Sequence, residues 1–163
     1  MYFGLSEEQE SIQDFVKKFL ADNATVDEIR KIANGEGEEL EKNIFDGILN
    51  LGINTLLIPE EHNGLGAGLL HAVAVAQALG AGVGPVPFVG SYVMAPIAIN
   101  LGGSEEQKNN YLPKIASNEL RFGIGMSEFV GAREDAGIEF SKNKLNGRAS
   151  VSYTHLTLPT IVR

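Results

Sequence analysis

Apolar positions recur at helical spacing over roughly the first two-thirds of this chain, then change to a period of two. Ile12, Phe15, Val16, Phe19 and Leu20 fall at i, i+3, i+4, i+7 and i+8, one stripe of an amphipathic helix. Ser6 and Gln9 just before it form an S-x-x-Q capping box. Glu7, Glu8 and Glu10 sit at the positive end of this helix and Lys17 and Lys18 toward the negative end, as the macrodipole favours. A short helix is predicted from Val26 to Ala33, interrupted afterwards by Gly35 and Gly37. Leu40, Ile44, Ile48 and Leu51 mark a third, with Gly52 placed to end it in a left-handed conformation.

The run from Ile53 to Gly68 reads as a loop with an apolar anchor, Leu56-Leu57-Ile58-Pro59, followed by polar and glycine residues. Leu69 to Leu79 is apolar on nearly every face, which predicts a helix buried among other helices. A helix from about Phe88 to Leu101 contains Pro96, so a kink or a restart is expected near Ala95. Ser104 and Gln107 repeat the capping box for a helix from Glu105 to about Ala116, disturbed by Pro113. From Arg121 onward Phe122, Ile124 and Met126 alternate with glycines, and Ala136 to Leu145 reads as a hairpin. The pattern predicts a helical domain over residues 1–119 and the beginning of a β domain over 120–150. The helices are expected to bury Phe15, Phe19, Ile44, Ile48, Val73 and Leu79 against one another.

Composition narrows the functional classes. The chain has 163 residues, 44% of them hydrophobic, enough for a packed core. Its formal net charge of -8 lacks the cationic excess that nucleic acid or an anionic membrane requires. Cysteine is absent from the sequence, which excludes disulfides and thiolate chemistry and fits a reducing compartment, so a cytoplasmic address is expected. The acidic opening is the opposite of a basic leader, and Leu69 to Gly84 is too short and too broken for a membrane span.

Candidate chemistry is sparse. The glycine runs 64–68 and 80–84 do not fit G-x-G-x-x-G, and the second follows a helix, so both read as turns. His62, His71 and His155 show no metal-ligand spacing, and no metal site is expected. Ser91, Ser104 and Ser127 lack the G-x-S-x-G elbow of a hydrolase. Glu60-Glu61 and Glu105-Glu106 are adjacent pairs that read as solvated faces.

Three separated segments nevertheless resemble the acyl-CoA dehydrogenases in order and spacing. They are Leu5-Ser6-Glu7-Glu8-Gln9 with Phe15, Val16 and Phe19; Leu51-Gly52-Ile53 through Ile58-Pro59-Glu60-Glu61 to Gly64-Leu65-Gly66; and Gly103 to Lys108 with Tyr111-Leu112-Pro113. The resemblance covers residues 1 to about 150. It implies a mainly α fold, an N-terminal helical bundle followed by a short, incomplete antiparallel β segment. It also implies FAD as cofactor, an acyl-CoA substrate, electron-transfer flavoprotein as electron acceptor and a homo- or hetero-tetrameric parent. The proton-abstracting carboxylate of that family lies in a C-terminal domain, so no catalytic residue is expected in this chain.

The family's T-E-P-x-x-G-S-D stretch, which contacts the flavin, matches Ser127 and Glu128 here, but Phe129 stands for Pro and Arg133-Glu134 for Ser-Asp. Ile124, Met126 and Ser127 are the implied cofactor contacts, with Ser127 equally readable as an ordinary strand-end serine. Gly90, Ser91 and Met94 match a helix lining the acyl pocket and equally suit plain helix packing. The departure at 129–134 leaves a non-catalytic partner subunit as an alternative to an enzyme, and a helical interaction module as a third.

Val151 to Arg163 contains Thr154, Thr157 and Thr160, whereas the preceding 150 residues contain only Thr25 and Thr55. It is expected to be foreign to the fold, and it looks like translated adapter sequence. A genomic read across codon 150 is therefore expected to diverge from Val151 onward, and one that continues through these codons refutes the expectation.

Overall fold

A computed structural model describes residues 4–124 and 137–148. Val151 to Arg163, with its proposed foreign origin, lies outside the described residues. The chain divides into two compact units, Met1–Arg121 and Phe122–Arg163.

The first unit is helical. Its helices are α1 (Glu7–Asn23), α2 (Val26–Ala33), α3 (Glu38–Leu49), α4 (Leu69–Ala81), α5 (Ala95–Gly102) and α6 (Glu105–Ala116). Short 3₁₀ turns occupy Ile53–Thr55 and Glu60–His62, and a π-helical turn, Val89–Met94, runs directly into α5. Both expected capping boxes form. The Ser6 N–H donates to Gln9 Oε1 at 3.0 Å and the Ser104 N–H to Gln107 Oε1 at 2.9 Å, each answered by the serine oxygen accepting from the glutamine N–H. A third box, Thr25 with Glu28 in a T-x-x-E pattern, starts α2. The Thr25 hydroxyl and N–H both donate to the Glu28 carboxylate and hold it below the usual carboxylate range. Gly52 takes the left-handed conformation expected of it, with φ of 80°.

The core is formed by Val16 and Leu20 of α1, Ile44 and Ile48 of α3, Ile53, Leu56 and Ile58 of the following loop, and Leu112 and Ile115 of α6. α1 packs most extensively on α4. Of the five buried α4 residues four are small, Ala72, Ala74, Val75 and Ala78, so the two backbones approach closely, and Leu79 at the end of the helix is buried as expected.

The burial of α4 differs from expectation. Leu69, Leu70 and Val73 are exposed, Leu70 by 62%, and Phe15 on α1 is 61% exposed. The uniform hydropathy of α4 carries no information about which flank is covered, and only the alanine flank meets a neighbour here. For α1 the buried line runs through Val16 and Leu20, the positions i and i+4, and Phe15 lies just outside it. Pro113 does not disturb α6, which runs unbroken to Ala116. The carbonyl that its ring deprives of a partner belongs to Asn109, an exposed residue that water can serve.

In the second unit β1 (Gly137–Ser141) pairs antiparallel with β2 (Lys144–Arg148), Ser141 opposite Lys144. Lys142 and Asn143 both adopt positive φ, 51° and 61°, as a two-residue type I′ turn requires. The expected hairpin is present, its second strand reaching Arg148 rather than ending near Leu145. Among the described residues no helix is long and apolar enough to cross a membrane.

The burial pattern predicts a contrast measurable by urea denaturation. Ile48→Ala should cost about 2–5 kcal/mol through its cavity, while Leu70→Ala should stay within about 0.5 kcal/mol. Equal effects would show that the α4 flank is covered after all.

Candidate functional site

The irregular element between Pro87 and Ala95 is a direct consequence of Pro96. Proline has no N–H to give to the Tyr92 carbonyl, and its ring would collide with that carbonyl in a continuous α-helix. The chain responds by inserting one extra residue into the preceding turn. The Ser91 N–H still donates to Pro87 at 3.0 Å, whereas the Ala95 N–H donates five residues back, to Gly90. The expected restart near Ala95 is thus observed, by way of a π turn.

Gly90, Ser91 and Met94 all lie on this turn. Gly90 and Ser91 are buried, Ser91 to 1% exposure, and Met94 is half-buried. The turn therefore carries a small residue, a hydroxyl and a flexible thioether within five positions, the first two enclosed in the unit and the thioether partly open. Tyr92, fully buried, anchors it by donating its hydroxyl to Asn118 Oδ1 at 2.7 Å. Burial pushes the Tyr92 phenol up to about 12, against the opposing pull of the Arg121 charge.

Asn118 sits just past α6 in a left-handed conformation, with φ of 57°. The carbonyls at the end of α6 need partners, and Asn54, 5% exposed on the 3₁₀ turn after α3, donates to the Ala116 carbonyl at 2.6 Å. Arg121 then lies over the Phe45 ring, 4.5 Å from its centroid. Three side chains from three elements thereby fix the chain from Ile115 to Arg121. None of these long-range partners is visible in the sequence, because Asn54 and Asn118 carry no local motif.

Of the implied cofactor contacts, Ile124 is half-buried in a segment without regular secondary structure, while Met126 and Ser127 lie outside the described residues, as do Glu128 and the 129–134 stretch. The glycine runs are turns. The Leu65, Gly66 and Ala67 N–H groups donate to Thr55, Ile58 and Leu56, and those of Gly82, Val83 and Gly84 to Ala78, Gly80 and Leu79, so none is free to hold a phosphate. Gly64 has no room for a side chain, since a Cβ there would strike the Ile58 carbonyl.

His62 is buried with Nε2 3.7 Å from Glu61, and His71 lies with Nε2 3.8 Å from Glu8. His155 is outside the described residues. Among the described residues no three metal-ligating side chains converge.

Comparisons with known proteins bear on the chain as a whole. Residues 6–119 match the family model described as acyl-CoA dehydrogenase, N-terminal domain. The chain is 32% identical over 129 residues to mitochondrial isovaleryl-CoA dehydrogenase of Pongo abelii, covering 77% of this chain and 30% of that protein. The chain thus spans about a third of the relative it matches. Among solved structures it is similar to the Tcur3481-Tcur3483 steroid ACAD, solved as a variant, with a TM-score of 0.64 and 26% identity over 80% of this chain and 36% of that one. The ChsE4-ChsE5 complex from Mycobacterium tuberculosis shares the fold, with a TM-score of 0.71 at 24% identity, covering 89% of this chain and 39% of that one.

The buried phenol sets a pH dependence. Its folded-state pKa lies above that of an unfolded tyrosine, so its contribution to stability is present below about pH 10 and is lost as pH rises toward about 12. Tyr92→Phe should remove this alkaline loss from urea midpoints measured between those pH values. It should also cost about 1 kcal/mol at neutral pH through the lost bond to Asn118.

Proposed function

Because the chain belongs to the acyl-CoA dehydrogenase family through its N-terminal domain, we propose that it supplies one wall of the acyl pocket of an FAD-dependent enzyme that removes hydrogen from the α and β carbons of an acyl-CoA thioester. The observation that carries this is the π turn. It places Gly90, Ser91 and Met94 together on a rigid element held by Tyr92 and Asn118. In this reading Met94, partly open, adapts to the acyl chain's shape, while the small Gly90 and Ser91 sit behind it.

Residues 1–119 form the helical domain and 120–150 the start of a middle β domain, where Ile124, Met126 and Ser127 would meet the flavin. Ile124, half-buried, suits an apolar contact to such a ring. When bound, FAD supplies the electron sink that a weakly acidic thioester substrate needs. The general base belongs to a part of the parent that this chain does not contain, so the chain alone is inactive. Electron-transfer flavoprotein is the proposed acceptor, a tetramer the proposed assembly and the cytoplasm the proposed address.

A second reading is favoured by one feature. Phe129 and Arg133-Glu134 stand where the family's flavin motif has Pro and Ser-Asp, as suits a non-catalytic subunit that completes a partner's pocket. A glutamate at the base position in the remainder of the parent decides between the two.

The test uses both proteins. Full-length, flavin-loaded parent should reduce an artificial electron acceptor with at least one acyl-CoA, and Ser91→Leu should lower kcat/KM about tenfold, or about 1.4 kcal/mol, without lowering flavin content. The 163-residue chain should neither quench FAD fluorescence stoichiometrically nor bleach flavin with substrate. A flavin-loaded parent inert toward branched, straight-chain and steroid acyl-CoAs would sink the proposal.

A further inference from the structure

A groove of about 420 Å³ opens between the second half of α1, α2 and the end of α4. None of Gly90, Ser91 or Met94 lines it. Its existence follows from side-chain size. Ala21 and Ala24 on one side and Ala78, Ala81 and Gly82 on the other leave the space between them unfilled. A Cβ on Gly82 would lie 2.6 Å from Leu20 Cδ1, so a larger residue there requires Leu20 to shift.

α2 forms one wall in an unusual way. Its apolar and charged positions separate cleanly, yet none of its residues is buried, and it packs chiefly on α3. Val26, 67% exposed, and Ile29 instead face the groove. Val83 also lines it, held at a positive φ of 51° that a β-branched residue rarely adopts.

The groove is apolar along its length and cationic at its rim, where Lys17 and Arg30 stand. Each pairs with an exposed aspartate one turn away, Asp14 at 3.4 Å and Asp27 at 3.1 Å, and Lys17 also donates to Gln13 Oε1. Such pairs contribute little and exchange readily for a better anion. An acidic protein with two cations at the mouth of an apolar slot is matched by an amphipathic anion.

We propose that this groove binds a single-chain fatty-acid carboxylate, the alkyl chain between α2 and the alanines of α1 and α4 and the head group between Lys17 and Arg30. The volume lies within the range of about 300–1,000 Å³ typical of small-molecule sites. It equals roughly one turn of a helix 10 Å across, too little to seat a helical peptide or a second copy of the chain. The proposal stands independently of the acyl-CoA reading, because it concerns other residues and needs no flavin.

Calorimetric titration of the 163-residue chain with decanoate is the test, with hexanoate, decan-1-ol and decanoyl-CoA as comparison arms. Decanoate should bind one-to-one and hexanoate at least tenfold more weakly, since each buried methylene contributes up to about fourfold. The double variant Lys17→Gln, Arg30→Gln should weaken decanoate about tenfold and leave decan-1-ol unchanged. Ala21→Phe, at an exposed position on the wall, should abolish both while the melting temperature holds, with Ala81→Phe as the second blocking variant. Non-saturable or multiple-site binding, indifference to both phenylalanine variants, or equal effects on acid and alcohol would overturn the proposal. Decanoyl-CoA binding as tightly as decanoate would overturn the assignment to a free carboxylate, and a chain that sediments as a dimer through this face would replace it with self-association.

Discussion

Proline at position 96 removes one hydrogen bond from the middle of the unit, and much of the surrounding architecture answers that loss. The turn before it widens to a five-residue period, which brings Gly90 and Ser91 into the interior and turns Tyr92 toward the end of α6. The phenol then has a partner only because Asn118 takes a left-handed conformation, and α6 can end there only because Asn54 accepts the task of pairing its last carbonyls. Each of these polar groups is buried or half-buried, so each would be costly to leave alone. The chain of dependence runs from a missing donor to the anchoring of the segment that leads out of the helical unit.

Close approach is the second recurring constraint. A Cβ on Gly47 of α3 would enter the Phe19 ring of α1, and Leu20 occupies the space beside Gly82 and Gly84. Glycine serves in these places to let one large side chain sit against another element's backbone. The alanines of α4 do the same along much of a helix, and the groove beside its end is lined largely by such small residues.

What the sequence made legible was local. Capping boxes, the left-handed Gly52, the restart at Pro96 and the hairpin depend on residues within a few positions of one another, and the separated motifs were enough to identify the family. The exposed flank of α4 was not legible, because a helix apolar on all sides gives no phase from which to choose its covered face. Phe15 failed for a related reason, since a stripe read from spacing is wider than the line that touches a neighbour. At the candidate site, Pro96 announced an irregularity, but the period of the turn and the pairings of Tyr92 and Asn54 depend on partners 26 and 62 residues away.

The widened turn also acts as a phase shifter. Successive residues of an α-helix are rotated by about 100° around the axis, so one additional residue offsets the faces on its two sides by about that angle. Phe88 ahead of the turn and Ala95 and Pro96 behind it are all buried. Both ends of the helix can therefore turn inward toward neighbours in different directions, which a helix of constant pitch with one residue fewer could not do. The length of this segment is consequently as constrained as its composition: a single-residue deletion between Val89 and Met94 would rotate one buried face toward solvent even if every remaining side chain were unchanged.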